Sequence, residues 1–342
     1  MLQIQGSELP DSRFLDALRQ VKYPFLVAHV TPDADAIGSA LGLATAMREQ
    51  GIEAAIGLPE GCVADKLLFM LSLAPETPLK STWTPNDPFD AAIVLDTAGE
   101  KRINIQPVID LSGNLPVFNI DHHITNTDFG QYNWVDPHAT STCELVARLL
   151  KKLDWSLSPA VASLLYAGIH GDTAGFSLPT TSADALHTAG ELVRCGADVT
   201  HIGEQLCRSQ ARPDFELLRR VYDQTTITSD GQIAYSYLSH DDFLASGSKA
   251  EAIDDQVSIP LALKGVRIAM LFSEGEKGVV RINLRGEGNV EVLEIAQRFG
   301  GGGHAHAAGV RVRNKPIQDV AREVVAAATE HLKTHLIKSV DA

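Results

Sequence analysis

The stretch Phe25-Leu-Val-Ala-His-Val-Thr-Pro-Asp-Ala-Asp-Ala-Ile-Gly-Ser39 constrains this chain more than any other. It opens on a short apolar run that suits a buried parallel strand. His29, Asp33 and Asp35 then fall within seven positions, after the strand has ended. From Ala36, small and apolar residues recur at helical spacing through Met47, and Gly51 marks the stop. Strand, polar turn and helix make half of a βαβ unit, and open α/β sheets bind ligands at the carboxyl ends of their strands. Two carboxylates and an imidazole in one turn repel and desolvate one another unless positive charge lies among them, which points to a divalent metal. An Asp-rich helix N-cap accounts for the same turn, because early acids favour the helix dipole. Taken alone, the turn does not decide between the two.

The pattern recurs. Residues 89–96 form an apolar run ending on Asp96, and residues 116–123 form another ending on Asp121, His122 and His123. An apolar helix over 161–169 runs into His170-Gly171-Asp172-Thr173. Three strands delivering acids or imidazoles at their C-terminal ends are hard to explain by capping or solubility. His29, Asp33, Asp35, Asp96, His122 and Asp172 supply carboxylates and imidazoles in the number and hardness that suit two Mn²⁺ or Mg²⁺ ions sharing a bridging carboxylate. No thiolate joins them, which disfavours a structural zinc. Such paired ions serve phosphatases and nucleases. The residues therefore point to metal-assisted phosphoester hydrolysis without a covalent enzyme intermediate.

With 342 residues, 44% hydrophobic and 21% charged, the chain is long enough for two globular domains. A net charge of −14 argues against a surface that coats long nucleic acid. Cys62, Cys143, Cys195 and Cys207 are scattered, so reduced buried thiols are expected rather than a zinc or disulfide framework. Neither a basic-apolar leader nor an apolar run of roughly 20 residues is present, and a soluble cytoplasmic protein without membrane partners is expected.

Along the chain, the pattern predicts a helix over 11–23, a strand over 53–58 and a loop over 75–88. Ser141-Thr-Cys-Glu144 reads as a capping box opening a helix, with no chemistry of its own. Helices follow over 182–195 and 197–224, the latter broken near Pro213 and read as a linker. Alternating strands are expected over 232–238, 266–272 and 279–284, then a helix over 290–299, a strand over 310–312 and a helix over 317–336. The fold class is α/β: an N-terminal mostly parallel sheet flanked by helices, plus a smaller mixed α/β domain. The expected domains are 1–195 and 225–342, with a helical linker over 196–224 and the active site in the cleft between the lobes.

Gly300-Gly301-Gly302-Gly303-His304 follows the 290–299 helix. Glycines there let backbone N–H groups approach a phosphate, although a glycine run is also an ordinary hinge. Its neighbours His306, Arg281 and Arg285 favour an anion site. His138, His187, His201, His240, His331 and His335 lack carboxylate company and are read as surface or packing residues. His170 is the nearest histidine outside the set, and Arg102 serves either the substrate or the solvent.

The phrases His29-Val-Thr-Pro-Asp-Ala-Asp-Ala-Ile-Gly-Ser39, Val94-Leu-Asp96-Thr, Asp121-His122-His123 and Gly171-Asp172-Thr173 resemble the four motifs of the DHH phosphoesterase family. Phe299-Gly-Gly-Gly-Gly-His304-Ala-His-Ala-Ala-Gly309 resembles the signature of the DHH-associated domain. The resemblance spans nearly the whole chain in the family's order. It implies one metal on His29, Asp33 and Asp96, and a second on Asp35, Asp96, His122 and Asp172, with Mn²⁺ the expected ion and Mg²⁺ the alternative. It gives His123 the role of facing the scissile phosphate and Asp121 that of orienting its neighbours. It assigns Arg285, Gly302, Gly303 and His304 to the substrate's far end. The implied substrates are RNAs of a few nucleotides, including pApA, and 3′-phosphoadenosine 5′-phosphate. Cyclic di-AMP phosphodiesterase and pyrophosphatase or exopolyphosphatase activities are the alternatives, and a homodimer is implied. Two positions depart from the family pattern: Ala174 where glycine is common, and Gly286 where serine usually follows the arginine.

Overall fold

Apolar runs of four or five residues, too short for helices, become parallel strands in the N-terminal half. The computed structural model describes residues 9–84, 87–105, 115–249, 253, 256–303 and 305–340, with side chains to 334. The chain divides into two units, Met1–Ser209 and Gln210–Ala342. The first contains α1 (Ser12–Leu18), β1 (Pro24–Val27), α2 (Ala34–Glu49), β2 (Ala55–Gly57), α3 (Leu68–Ser72), β3 (Leu79–Lys80), β4 (Ala91–Leu95) and β5 (Val117–Asp121). It continues through β6 (Tyr132–Val135), α4 (Thr142–Lys152), α5 (Pro159–Asp172), α6 (Ala183–Arg194) and α7 (Val199–Arg208).

Its six strands run in the order β3-β2-β1-β4-β5-β6, all parallel. The chain moves outward from β1 to β3, then returns to β4 on β1's other side. Order therefore reverses between β1 and β4, the switch point where such sheets leave a crevice at the strand ends. His29, Asp33 and Asp35 follow β1, and Asp96 follows β4. Along β4, Ile93 and Leu95 face the helices, packing with Leu41, Met47, Leu164 and Leu165. Ala92 and Val94 face the opposite side, among Phe25, Val27, Ile103 and Ile105.

Helices α2 and α5 cross on small residues. A Cβ on Gly38 would lie 2.6 Å from the Leu164 carbonyl oxygen, and one on Gly168 would lie 2.2 Å from Cys143 Sγ and 2.9 Å from Asp35 Oδ1. Only glycine permits that approach, which brings the start of α2 beside the end of α5.

The second unit holds α8 (Arg212–Asp223), β7 (Thr226–Ile227), β8 (Ile233–Leu238), α9 (His240–Ser246), α10 (Ser258–Leu261), β9 (Ile268–Glu276) and β10 (Val279–Gly286). Then come α11 (Leu293–Arg298), β11 (Gly302–Gly303), β12 (Ala307–Arg313) and α12 (Ile317–Val340). Its sheet runs β11-β12-β10-β9-β8-β7, antiparallel except for the parallel β8–β9 pair. α11 and α12 bury one face, with Ile282 and Leu284 beneath Val320 and Val324. α8 and α9 bury the other through Leu217, Val221 and Phe243.

The helices expected as a linker are packed instead: Ile202 of α7 joins the first core, and Leu217 and Val221 of α8 join the second. Several short elements also lie outside the sequence pattern, among them α3, β3 within the expected 75–88 loop, β6, α9, α10 and β11. The thiols are free; Cys143 is buried, but Cys207 is exposed, contrary to expectation. No helix among the described residues is long and apolar enough to cross a membrane.

Candidate metal centre

The centre begins with α2, whose first turn uses Asp33 as N-cap. Asp33 Oδ1 accepts from the backbone N–H groups of Asp35 and Ala36, both at 3.0 Å. Its Oδ2 lies 3.9 Å from His29 Nε2. One oxygen of Asp33 thus caps the helix while the other faces the centre, so the two readings of the sequence do not exclude each other. His29 Nδ1 lies 2.7 Å from the Val30 carbonyl oxygen. A proton donated there leaves Nε2 directed at the centre, 3.3 Å from Asp96 Oδ2.

Asp96 joins the two halves. Buried after β4 with a left-handed φ of 50°, it turns one oxygen to each side. Oδ2 faces His29, while Oδ1 lies 3.5 Å from His122 Nε2. His122 Nε2 is in turn 3.9 Å from Asp35 Oδ2 and 3.3 Å from Asp172 Oδ2. Donor atoms of His29, Asp33 and Asp96 all fall within 4.8 Å of one another, as do those of Asp35, His122 and Asp172, and those of Asp96, His122 and His123. The structure thus brings all six expected ligands together, in two sets that Asp96 touches.

Protonation responds to this crowding. Burial opposes charge on His29, but the hydrogen bond to Asp96 and the charges of Asp33 and Asp96 outweigh it and raise the imidazole to about 9. His122 is raised for the same reasons, burial being overcome by Asp96, Asp35 and Asp172. Burial and the Asp96 charge push Asp35 up to about 7. Burial, Asp35 and Asp33 push Asp172 well above the carboxylate range. Asp96 moves down despite its burial, because His122 and His29 both hydrogen-bond to it. A cluster in which acids hold protons against one another is one whose repulsion divalent cations relieve. Oxygen and imidazole donors without thiolate, gathered at single-ion reach, fit hard divalent ions.

Beside the cluster, His123 Nδ1 lies 2.7 Å from Asp121 Oδ1. Asp121 is fully buried and also accepts from the His122 backbone N–H at 2.9 Å and from Asn126 Nδ2 at 2.6 Å. Asn126 Nδ2 is anchored on Asn119 Oδ1 at 2.8 Å.

α4 starts where the capping residues predict, but sequence reasoning missed what that start does for the centre. Ser141 Oγ accepts from the Glu144 backbone N–H at 3.1 Å, the first half of the expected box. Glu144 instead reaches one residue further, accepting from Thr140 N–H at 2.8 Å, and pairs with Arg148. The segment is not chemically idle either. The backbone N–H groups of Thr142 and Cys143 donate to Asp35 Oδ2 and Oδ1 at 2.7 and 2.8 Å, and Thr142 Oγ1 lies 3.2 Å from Asp96 Oδ1. His170 packs instead against Tyr166 and Phe176 rings. His187 and His331 do have carboxylate neighbours, Glu191 at 3.4 Å and Glu294 at 3.8 Å. Ala174 adopts a left-handed φ of 45°, the conformation that glycine would take without strain.

In the second unit, the last two glycines of the run form strand, Gly302 pairing with Gly309 and Gly303 with Ala308, while Gly300 and Gly301 connect α11 to it. Arg285 pairs with Ala307 on the other side of β12 and donates to its neighbour's carbonyl, Leu284 O, at 3.0 Å. His304 lies outside the described residues. His306 Nδ1 is engaged with Val290 O at 2.9 Å. That same carbonyl would lie 2.0 Å from a Cβ on Gly286, so no serine fits this backbone after Arg285.

A parallel sheet carrying paired His/Asp donor sets at its switch point defines a metal-dependent class of α/β protein, joined here to a mixed-sheet second unit. Residues 25–169 match the DHH family, N-terminal domain, and residues 230–334 match the DHHA1 domain. A protein of Thermus thermophilus named bifunctional oligoribonuclease and PAP phosphatase NrnA is 30% identical over 93% of this chain and 93% of its own length. Its namesake in Bacillus subtilis is 30% identical over 83% of this chain and 87% of its own. The crystal structure of an exopolyphosphatase-related protein from Bacteroides fragilis shares the fold, with a TM-score of 0.85 and 24% identity over 96% of this chain and 98% of that one. This chain belongs to the DHH family.

Proposed function

We propose that the chain is a divalent-metal phosphoesterase that hydrolyses RNAs of a few nucleotides, pApA among them, to mononucleotides, and 3′-phosphoadenosine 5′-phosphate to AMP. The observation that carries the reading is Asp96, with one oxygen directed at each donor set, beside an imidazole held by a buried aspartate. The names of the two relatives supply the substrate class. His29, Asp33 and Asp96 would hold one ion, and Asp35, Asp96, His122 and Asp172 the other. Two imidazoles among the oxygens favour Mn²⁺ over Mg²⁺. When bound, such ions polarise phosphoryl oxygens and activate water at neutral pH.

The remaining work falls to the protein. Asp121 accepts from His123 Nδ1–H, which presents Nε2 to the leaving oxygen as proton donor. Asn126 and the His122 backbone N–H hold Asp121 in place, so the imidazole is oriented before substrate arrives. Arg285, Gly302, Gly303 and His304 are assigned to the distal phosphate or terminal nucleotide. Gly302 suits this role because it is exposed and nothing lies within 4 Å of where a Cβ would stand, so an anion can approach its backbone from that side.

The test is a product-resolved assay in Mn²⁺ offering pApA, a five-nucleotide RNA, 3′-phosphoadenosine 5′-phosphate, cyclic di-AMP and pyrophosphate. Fastest turnover of the short linear substrates and the bisphosphate is the expected result. Preference for cyclic di-AMP would make the chain a signalling phosphodiesterase, and cleavage of pyrophosphate alone would remove the nucleotide from the reading.

A further inference from the structure

Thr142 is buried at the first position of α4 with no exposed surface. Its hydroxyl does not cap the helix, since Ser141 Oγ already does so. Burying a hydroxyl is unfavourable unless it is bonded, and valine would fill the same volume without that cost. The hydroxyl's hydrogen bond goes to Asp96 Oδ1 at 3.2 Å, the oxygen that faces His122. The same residue's backbone N–H donates to Asp35 Oδ2 at 2.7 Å. One threonine therefore ties the shared carboxylate of the centre to a carboxylate of the second donor set.

We infer that Thr142 is a positioning residue that orients Asp96 between the two donor sets, so that each oxygen serves one ion. The carboxylate belongs to a residue with a left-handed φ of 50°, and its own two side-chain torsions decide where its oxygens point. Its Oδ2 has His29 to orient it. Its Oδ1 meets two imidazoles, His122 at 3.5 Å and His123 at 3.6 Å, and rotation could trade one for the other. The threonine hydroxyl, fixed by the first turn of α4, selects the rotamer that keeps Oδ1 at His122. It acts through Asp96, the carboxylate to which it donates. This inference rests on the metal-centre reading.

Calorimetric titration of metal-freed protein with Mn²⁺ tests it, comparing wild type, Thr142→Val and Thr142→Ser. The valine keeps the volume and the backbone N–H to Asp35 but lacks the hydroxyl; serine keeps the hydroxyl. Thr142→Val should lose about 10–100-fold in affinity for the weaker ion, as outer-sphere partners of metal ligands do. Its unfolding temperature without metal should match wild type, and Thr142→Ser should restore most of the affinity. Wild-type affinity for both ions in Thr142→Val would overturn the inference. So would a serine variant as impaired as valine, which would make the side chain's shape, not its hydroxyl, the determinant. Should valine misfold, the serine variant is compared with Thr142→Ala, and equal affinities would again overturn the inference. A wild-type protein that binds no divalent ion would sink the metal reading itself, a distinct result.

Discussion

At the scale of single residues, Asp96 concentrates the demands on the centre. It is buried, held ionised by two imidazoles despite its burial, and carried on a backbone conformation that costs an aspartate of order 1 kcal/mol or more. Replacing it with asparagine preserves shape and removes the one charge shared between donor sets. Asp96→Asn should lower kcat/KM by more than the roughly 100-fold seen for outer-sphere partners, and titration should show fewer Mn²⁺ ions bound per chain. Two ions at wild-type affinity in that variant would contradict the bridging role. The candidate donors that the structure brings together were legible because they lie near the ends of apolar elements: Asp96 just after β4, and Asp172 at the last position of α5. Thr142 was not legible. It meets Asp96 across 46 positions and Asp35 across 107, and nothing in Ser141-Thr-Cys-Glu144 distinguishes a working threonine from a helix start.

At the scale of elements, the α2–α5 crossing sets the distance between the first and fourth motifs. Gly168 is the tightest point, because an added methyl would meet both Cys143 and Asp35. Gly168→Ala should destabilise the first unit by roughly 1–3 kcal/mol, the usual cost of overpacking, and weaken Mn²⁺ binding by displacing Asp35. Thermal melts without metal and titration with it separate the two effects. In the second unit, Asp242 completes a capping box with Ser239 at 2.8 Å and ties α9 to α8 through Arg220 at 2.7 Å. Burial raises its carboxyl, but Ser239 and Arg220 outweigh burial and bring it below the usual value. A depressed carboxyl stabilises the fold above its unfolded pKa and loses that contribution as pH falls through the folded one. Asp242→Asn should therefore cost about 1–2 kcal/mol at pH 7, the order of a hydrogen bond to a charged group. The gap to wild type should close on acidification below roughly pH 4, measured by melts across pH; a gap constant down to pH 2 would show that the charge is not what matters. The box escaped sequence reading because its third position is aspartate rather than glutamate. The glycine strand β11 escaped because glycines carry no side-chain period, and its pairing with β12 depends on backbone alone.

At the scale of the whole molecule, charge limits how an anionic substrate can be held. Lys and Arg number 29 against 43 Asp and Glu, so a growing RNA would gain repulsion rather than contacts as it extends over the surface. Attraction must come from the cations of the centre and a few specific groups, Arg285 among those proposed. Affinity for RNA falls with salt in proportion to the phosphates neutralised by basic side chains, with a slope near −0.7 per contact on single strands. Binding to His123→Ala, which the proposed proton-donor role would make catalytically silent, should show a slope of about −1 or shallower. That slope should stay the same for a three-nucleotide and a twenty-nucleotide RNA, because the extra phosphates find no partner. A steeper slope for the longer RNA would reveal a basic track and shift the substrate class towards long chains. A flat dependence, with affinity no greater for the longer strand, would make length selection a matter of what the centre and its few anion contacts can reach.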